Sequence, residues 1–181
     1  MTDFLSLVAQ RTVLKEALDT PWRASSELRR LLALPFIRLI FNLKGVSWGR
    51  QWRILGMPII QRHRGSKIIL GDRLVLRSWA ASNPLIPNHP VVLSTRSDKA
   101  VIKVGNDCGL TGTTLVAFEA IEIGDRVLVG ANTTIVDTDF HPIRWQDRQK
   151  DINNGAHRPV IIGDDVFIGM NSLVLKGVHI G

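Results

Sequence analysis

The chain of 181 residues has no tyrosine and a single cysteine, Cys108, and aromatic residues make up 6% of it. One cysteine forms no internal disulfide, so nothing in the sequence asks for an oxidising compartment, and Cys108 opens no metal-binding pattern. It reads as a small inward-facing hydrophobe. Scarce aromatics among many Val, Ile, Leu and Gly suit stacked short strands better than a helical bundle. The opening "MTDFLSLVAQRTVLKEALD" lacks the basic start, apolar core and small-residue cleavage site of a secretory signal, and a cytoplasmic location is expected.

Acidic residues are scarce at one end only. Residues 1–64 hold 11 Lys and Arg against 4 Asp and Glu, and residues 65–181 hold 12 of each. The net charge of +7 therefore belongs to the first third. This distribution argues against a nucleic-acid groove along the whole molecule and for a basic, surface-seeking first segment. Within it, "LRRLLALPFIRLIFNLKG" (28–45) carries Leu28, Leu32, Phe36, Leu39 and Leu43 at helical spacing, with Arg29, Arg30, Arg38 and Lys44 away from that face. Arg38 and Pro35 lie inside the run, so it is too interrupted for a span of about 20 apolar residues. Two readings stay open: a helix packed on the domain, or an amphipathic helix on an anionic membrane at the inner face. Nucleic acid is the least favoured partner, because the arginines alternate with leucine rather than with stacking residues.

From about residue 52 the pattern changes to hexads: "VGNDCG LTGTTL VAFEAI", then "IGDRVL VGANTT IVDTDF", then "IGDDVF IGMNSL VLKGVH IG". Val104, Leu110, Val116, Ile123, Val129, Ile135, Ile162, Ile168, Val174 and Ile180 open the blocks. Upstream, a coil is expected to start at Leu70, with Trp52 one coil earlier. This period marks an all-β solenoid, a parallel β-helix in which three hexads make one coil and the openers point inward. A sandwich with glycine turns is the weaker alternative. Two polar, Pro-bearing stretches, 82–100 and 141–159, break the register, and such departures from a rigid scaffold tend to carry function. The expected organisation is a helical basic segment over 1–45 and a β-helix over 46–181.

"IGDRVLVGANTTIVDTDFHPI" and "PVIIGDDVFIGMNSLVLKGVHIG" resemble the left-handed β-helix acyltransferases, in particular the maltose/galactoside O-acetyltransferase group and its relatives in surface-polysaccharide synthesis. "SNPLIPNHPVVLSTRS" resembles the polysaccharide-associated branch. The resemblance implies a left-handed coil, a homotrimer with sites shared between neighbours, acetyl-CoA as donor, a sugar or polysaccharide-precursor acceptor, no metal, and His141 as catalytic base. An imidazole suits that role at neutral pH. Asp139 is expected to orient the imidazole or hold sugar hydroxyls, or to be a corner residue, and Asp137 likewise. Asn83 and His89 are either turn residues of "SNP" and "NHP" or acceptor contacts. Trp145, with Arg144, either stacks on a sugar or caps the loop. His157 is expected at the surface. Gly169, Met170 and Asn171 lie where the family's pantetheine arm runs.

The family usually has tryptophan at Phe167 and continues past "HIG" for at least one further coil, so the resemblance implies that 46–181 lacks the last coil. A zinc hydratase built on the same solenoid needs three converging ligands, and His141, His157 and His179 form no local pair. A non-catalytic β-helix scaffold at a membrane surface is the alternative from a different class.

Overall fold

The computed structural model describes residues 18–181; the first 17, part of the expected 1–45 segment, lie outside the described residues. Helix α1 (Pro21–Leu43) leads into fifteen strands. These are β1 (Arg53–Leu55), β2 (Ile59–Gln61), β3 (Lys67–Leu70), β4 (Val75–Arg77), β5 (Val92–Thr95), β6 (Val101–Val104), β7 (Gly109–Thr111) and β8 (Thr114–Ala117). Then follow β9 (Ala120–Ile123), β10 (Leu128–Val129), β11 (Thr134–Val136), β12 (Val160–Ile162), β13 (Phe167–Ile168), β14 (Leu173–Val174) and β15 (His179–Ile180). A short helix α2 (Trp145–Lys150) sits between β11 and β12.

Every third strand belongs to the same sheet. The three sheets are β1-β4-β7-β10-β13, β2-β5-β8-β11-β14 and β3-β6-β9-β12-β15, and every pairing is parallel. The result is a left-handed parallel β-helix of hexapeptide repeats with an N-terminal helix. Its core is a set of vertical stacks. Ile54, Leu76, Leu110, Val129 and Ile168 face inward on the first sheet, and Ile60, Leu93, Leu115, Ile135 and Val174 on the second. A coil buries one such layer only against its neighbours, so stability is shared along the stack.

The recurring "GD" and "GN" pairs mark one corner of the prism, between the third and first sheets. A Cβ at Gly71 would stand 2.6 Å from the carbonyl carbon of Gly105, and one at Gly105 would stand 2.5 Å from the Gly124 carbonyl oxygen. Only glycine lets successive coils approach this closely. The polar residue after it caps the coil below: Asn106 Oδ1 accepts the Asp72 N–H at 2.9 Å, Asp125 Oδ1 the Asn106 N–H at 2.6 Å, and Asp164 Oδ1 the Asp125 N–H at 2.8 Å. This corner is structural, and both excursions leave from the other two.

The inward pattern departs from the hexads at one opener. Val116 points outward and Leu115 takes the core position opposite Ile135, because the corner between β7 and β8 is one residue shorter than those after β10 and β13. Leu70 ends β3 in register with the next opener, Val104, and packs against the core. The first excursion spans 78–91 rather than 82–100, since β5 pairs with β2 and β8 inside the stack. Cys108 is buried, as its surroundings of aliphatic residues require, and burial pushes its thiol pKa up.

Helix α1 packs at the first-coil end of the stack, against the edge strand β1. Ile37 and Phe41 enter the core, and the Phe41 ring meets Trp48 and Trp52 edge-on at 5.4 and 5.6 Å. The leucine stripe is not the packed face. Leu28, Leu32, Phe36, Leu39 and Leu43 all point to solvent, because the Ile37/Phe41 side is also apolar and is the one docked. No helix among the described residues is long and apolar enough to cross a membrane.

Candidate active site

The second excursion starts where β11 ends. Asp137 is fully buried, and its carboxylate accepts the N–H groups of Phe118 and Glu119 at 2.7 Å each. Burial drives its pKa above the ordinary carboxylate range, while those N–H bonds pull it down. Asp137 therefore closes the corner of the coil below and does not orient His141. Removing the acceptor leaves two part-buried backbone donors without a partner. Asp137→Ala is expected to cost about 2–4 kcal/mol of unfolding free energy, read from urea titration.

Beyond it the chain forms a neck. Thr138 bridges His157 in antiparallel fashion, the Asp139 N–H donates to the Ala156 carbonyl at 2.9 Å, and the Arg158 N–H donates to the Asp137 carbonyl at 2.9 Å. His157 is exposed yet engaged: its ring stacks on Phe118 at 4.7 Å and its Nδ1 lies 3.2 Å from Glu119 Oε2. The neck carries a loop with α2 at its far side, held by Arg148, whose guanidinium donates to the Pro142 and Ile143 carbonyls.

His141 sits at the start of that loop, exposed, after Phe140 at φ +59°. Its Nδ1 is 2.7 Å from the Ile152 carbonyl oxygen. A carbonyl only accepts, so Nδ1 carries the proton and the neutral ring presents an unprotonated Nε2. The loop thus fixes a tautomer suited to taking a proton. Phe140, Ile143, Trp145 and Ile152 form an exposed apolar rim around the ring's neighbourhood.

A cavity of about 370 Å³ opens in the same loop, lined by Asp139, Pro142, Ile143, Arg144, Asp147 and Asn154 among others but not by His141 itself. Asp139 also holds Lys176, from the coil above, at 2.7 Å. Carboxylates, a guanidinium and an amide in one cleft match the alternating donors and acceptors of a polyhydroxylated molecule. Trp145 opens α2 but does not line the cavity.

The remaining sequence-derived residues lie on another corner, between the first and second sheets. Asn83 is tied into a turn, its Oδ1 accepting the Leu85 N–H at 2.9 Å. His89 Nδ1 lies 2.8 Å from the Pro90 carbonyl oxygen. The first excursion folds onto Asn132, whose Oδ1 accepts the Asn88 N–H at 2.9 Å. Gly169, Met170 and Asn171 are on this same corner one coil on, with Asn171 at φ +56° and its N–H donating to the Ala131 carbonyl at 2.8 Å. Gly130, one coil earlier, is covered by this segment, since a Cβ there would stand 2.5 Å from the Met170 nitrogen, and Met170 itself is 44% exposed. One chain therefore brings together His141, Asp139 and the cavity on one corner, and Asn83, His89 and 169–171 on another. Among the described residues, no three His, Cys, Asp or Glu side chains converge as metal ligands would.

Sequence reasoning missed three features: the Ile152 carbonyl, the Asp137 cap and Gly155. A Cβ at Gly155 would stand 2.5 Å from the Phe140 carbonyl carbon and 2.7 Å from the His141 nitrogen. "NNG" before "AHRP" is the one signal that pointed there.

Comparison with known proteins agrees with the repeat. The family described as hexapeptide repeat of succinyl-transferase matches residues 119–136 and 159–181. The chain is 33% identical over 93 residues to the polysialic acid O-acetyltransferase of Neisseria meningitidis, covering 51% of this chain and 42% of that one. It is 33% identical over 84 residues to protein CapG of Staphylococcus aureus, covering 44% and 48% respectively. These matches span less than half the length of either relative. No solved structure matches the chain significantly.

Proposed function

We propose that this chain, which belongs with the hexapeptide-repeat acetyltransferases of the surface-polysaccharide branch, transfers an acetyl group from acetyl-CoA to a sugar hydroxyl of a polysaccharide or glycolipid precursor. The observation that carries the reading is the His141 ring, oriented by the Ile152 carbonyl so that Nε2 is left free, on the loop whose next residues line a cleft with Asp139, Arg144, Asp147 and Asn154.

The acceptor hydroxyl lies in the cleft of Asp139, Arg144, Asp147 and Asn154. Nε2 of His141 takes its proton as the oxygen attacks the thioester carbonyl carbon. A tetrahedral oxyanion forms and collapses, breaking the carbon–sulfur bond. The imidazolium returns its proton to the departing CoA sulfur, which leaves a neutral thiol, an acetyl ester and the starting imidazole. With both substrates bound together, no covalent enzyme intermediate is needed. Gly169, Met170 and Asn171 line the donor's path, mainly through backbone. Their corner is not His141's corner, so a complete site needs the corner of one subunit beside that of the next. This supports a homotrimer, and the apolar rim of Phe140, Ile143, Trp145 and Ile152 is the surface a neighbour would cover. The setting is cytoplasmic, at the inner face of a membrane that presents the acceptor.

Calorimetric titration with acetyl-CoA tests the reading first. Saturable binding displaced by free CoA is the expected result. No binding at millimolar ligand overturns it and leaves the non-catalytic scaffold.

A further inference from the structure

Helix α1 is apolar on two opposite faces. Ile37 and Phe41 point into the first coil, and half a turn away lie Leu28, Leu32, Leu39 and Leu43. Leu32 is 73% exposed and Leu43 71%. A helix that is hydrophobic on every side is normally buried on every side, so this outward stripe calls for a covering. By helical geometry Arg29 borders it on one side, with Lys44 at its C-terminal end, while Arg38 on the other flank turns its guanidinium over the Trp48 ring at 5.1 Å.

The charges around the stripe say what the covering is. Residues 21–64 hold nine Lys and Arg and one acidic residue, Glu27. That one is already engaged by Arg30 and Arg53. At the C-terminal end of α1, a cleft of about 460 Å³ is lined by Lys44, Arg62, His63, Thr95 and Arg96 with no carboxylate. A second copy of this chain laid stripe to stripe would bring like charges together. A surface of anionic headgroups over hydrocarbon complements both features at once: leucines enter the acyl boundary, and Arg29 and Lys44 reach the phosphates.

We infer that the outward face of α1, with the cation-lined cleft at its C-terminal end, docks the protein on an anionic lipid bilayer. The inference does not depend on the acetyl-transfer reading, but it has a consequence for it. Because α1 packs at the first-coil end of the solenoid, docking stands the β-helix axis away from the bilayer. His141 follows β11, three strand spacings from β2, or about 14 Å, and the helix thickness adds about 10 Å. An acceptor carried on a lipid is then modified at a sugar held well above the headgroup.

Co-sedimentation of the full chain with phosphatidylglycerol-containing vesicles, against pure phosphatidylcholine, is the test. Binding to the anionic vesicles at ~0.1 M salt is expected, weakened about tenfold on neutral vesicles or at ~0.5 M salt. Leu32→Glu/Leu39→Glu, at two exposed positions, should keep the melting temperature and lose binding about tenfold or more. Wild-type protein left in the supernatant with anionic vesicles overturns the inference, as does undiminished binding by the double variant. So does a wild-type oligomer that the double variant dissociates in sedimentation velocity while neither binds vesicles; a second copy then covers the stripe. Acetyl-CoA titration is unaffected by any of these outcomes, so failure of docking and failure of the transferase reading are told apart.

Discussion

His141→Ala will bind acetyl-CoA as the wild type does and transfer its acetyl group about 10²–10⁴-fold more slowly. The ring is exposed and belongs to no core stack, so its removal leaves the coils intact. What disappears is the base. Without Nε2 the acceptor oxygen must attack as a neutral hydroxyl, and at the upper limit that raises the barrier by about 5.5 kcal/mol. His141→Asn separates this from a structural effect. Its amide still donates to the Ile152 carbonyl and still holds the loop, yet it offers no base. The same fall in kcat with an unchanged melting temperature is expected. A variant that keeps wild-type turnover would place the base elsewhere and remove the reason for assigning the cavity beside Asp139 to the acceptor.

Much of the scaffold was legible because a β-helix repeats one local rule. Each coil needs an aliphatic residue at the same inward place and a glycine where the next coil's backbone comes close, and both leave a period in the chain. The reading failed where the rule is met by other means. The corner between β7 and β8 is one residue shorter than its neighbours, which moves the inward place from Val116 to Leu115. The first excursion ends at Val91 because β5 returns to the stack, though "VVLST" follows a proline-rich stretch without a glycine to announce it. In α1 the regular leucine spacing drew the eye to the face that points outward, while Ile37 and Phe41, less regular, make the contact.

The candidate site was legible in the sequence chiefly at one residue. His141 could be placed by the hexads before it and the likeness around it, but its tautomer is set by a backbone carbonyl eleven residues on, which has no side-chain signature. Asp137 and Asp139 look alike in "DTDF". One is walled into the coil below and the other pairs with Lys176 of the coil above, a difference that depends on which way each side chain faces at one corner. Nor does linear order reveal that 169–171 and the first excursion share a corner that His141 does not.

Gly155→Ala will lower kcat about 10²-fold while leaving the affinity for acetyl-CoA and the melting temperature close to wild type. The added Cβ would lie 2.5 Å from the Phe140 carbonyl carbon and 2.7 Å from the His141 nitrogen, and both are backbone, with no flexible side chain to swing away. The 140–141 segment must therefore move. Its freedom is limited on the other side, where the His141 N–H is held by the Asp139 carbonyl at 2.6 Å. A shift of several tenths of an ångström tilts the ring off the Ile152 carbonyl and away from the attacking oxygen, and misplacement on that scale is what costs a proton transfer most. The loop is otherwise solvent-exposed, so the strain relaxes by displacement and the coils hold. Gly109→Ala is the control, since its Cβ would meet only the Leu128 Cδ2, at 3.0 Å, the end of a side chain that can rotate. Gly109→Ala should retain turnover, and Gly155→Ala should lose it with KM for acetyl-CoA unchanged. Equal losses in both would mean that any added methyl group disturbs the stack, and Gly155 would then have no special hold on His141.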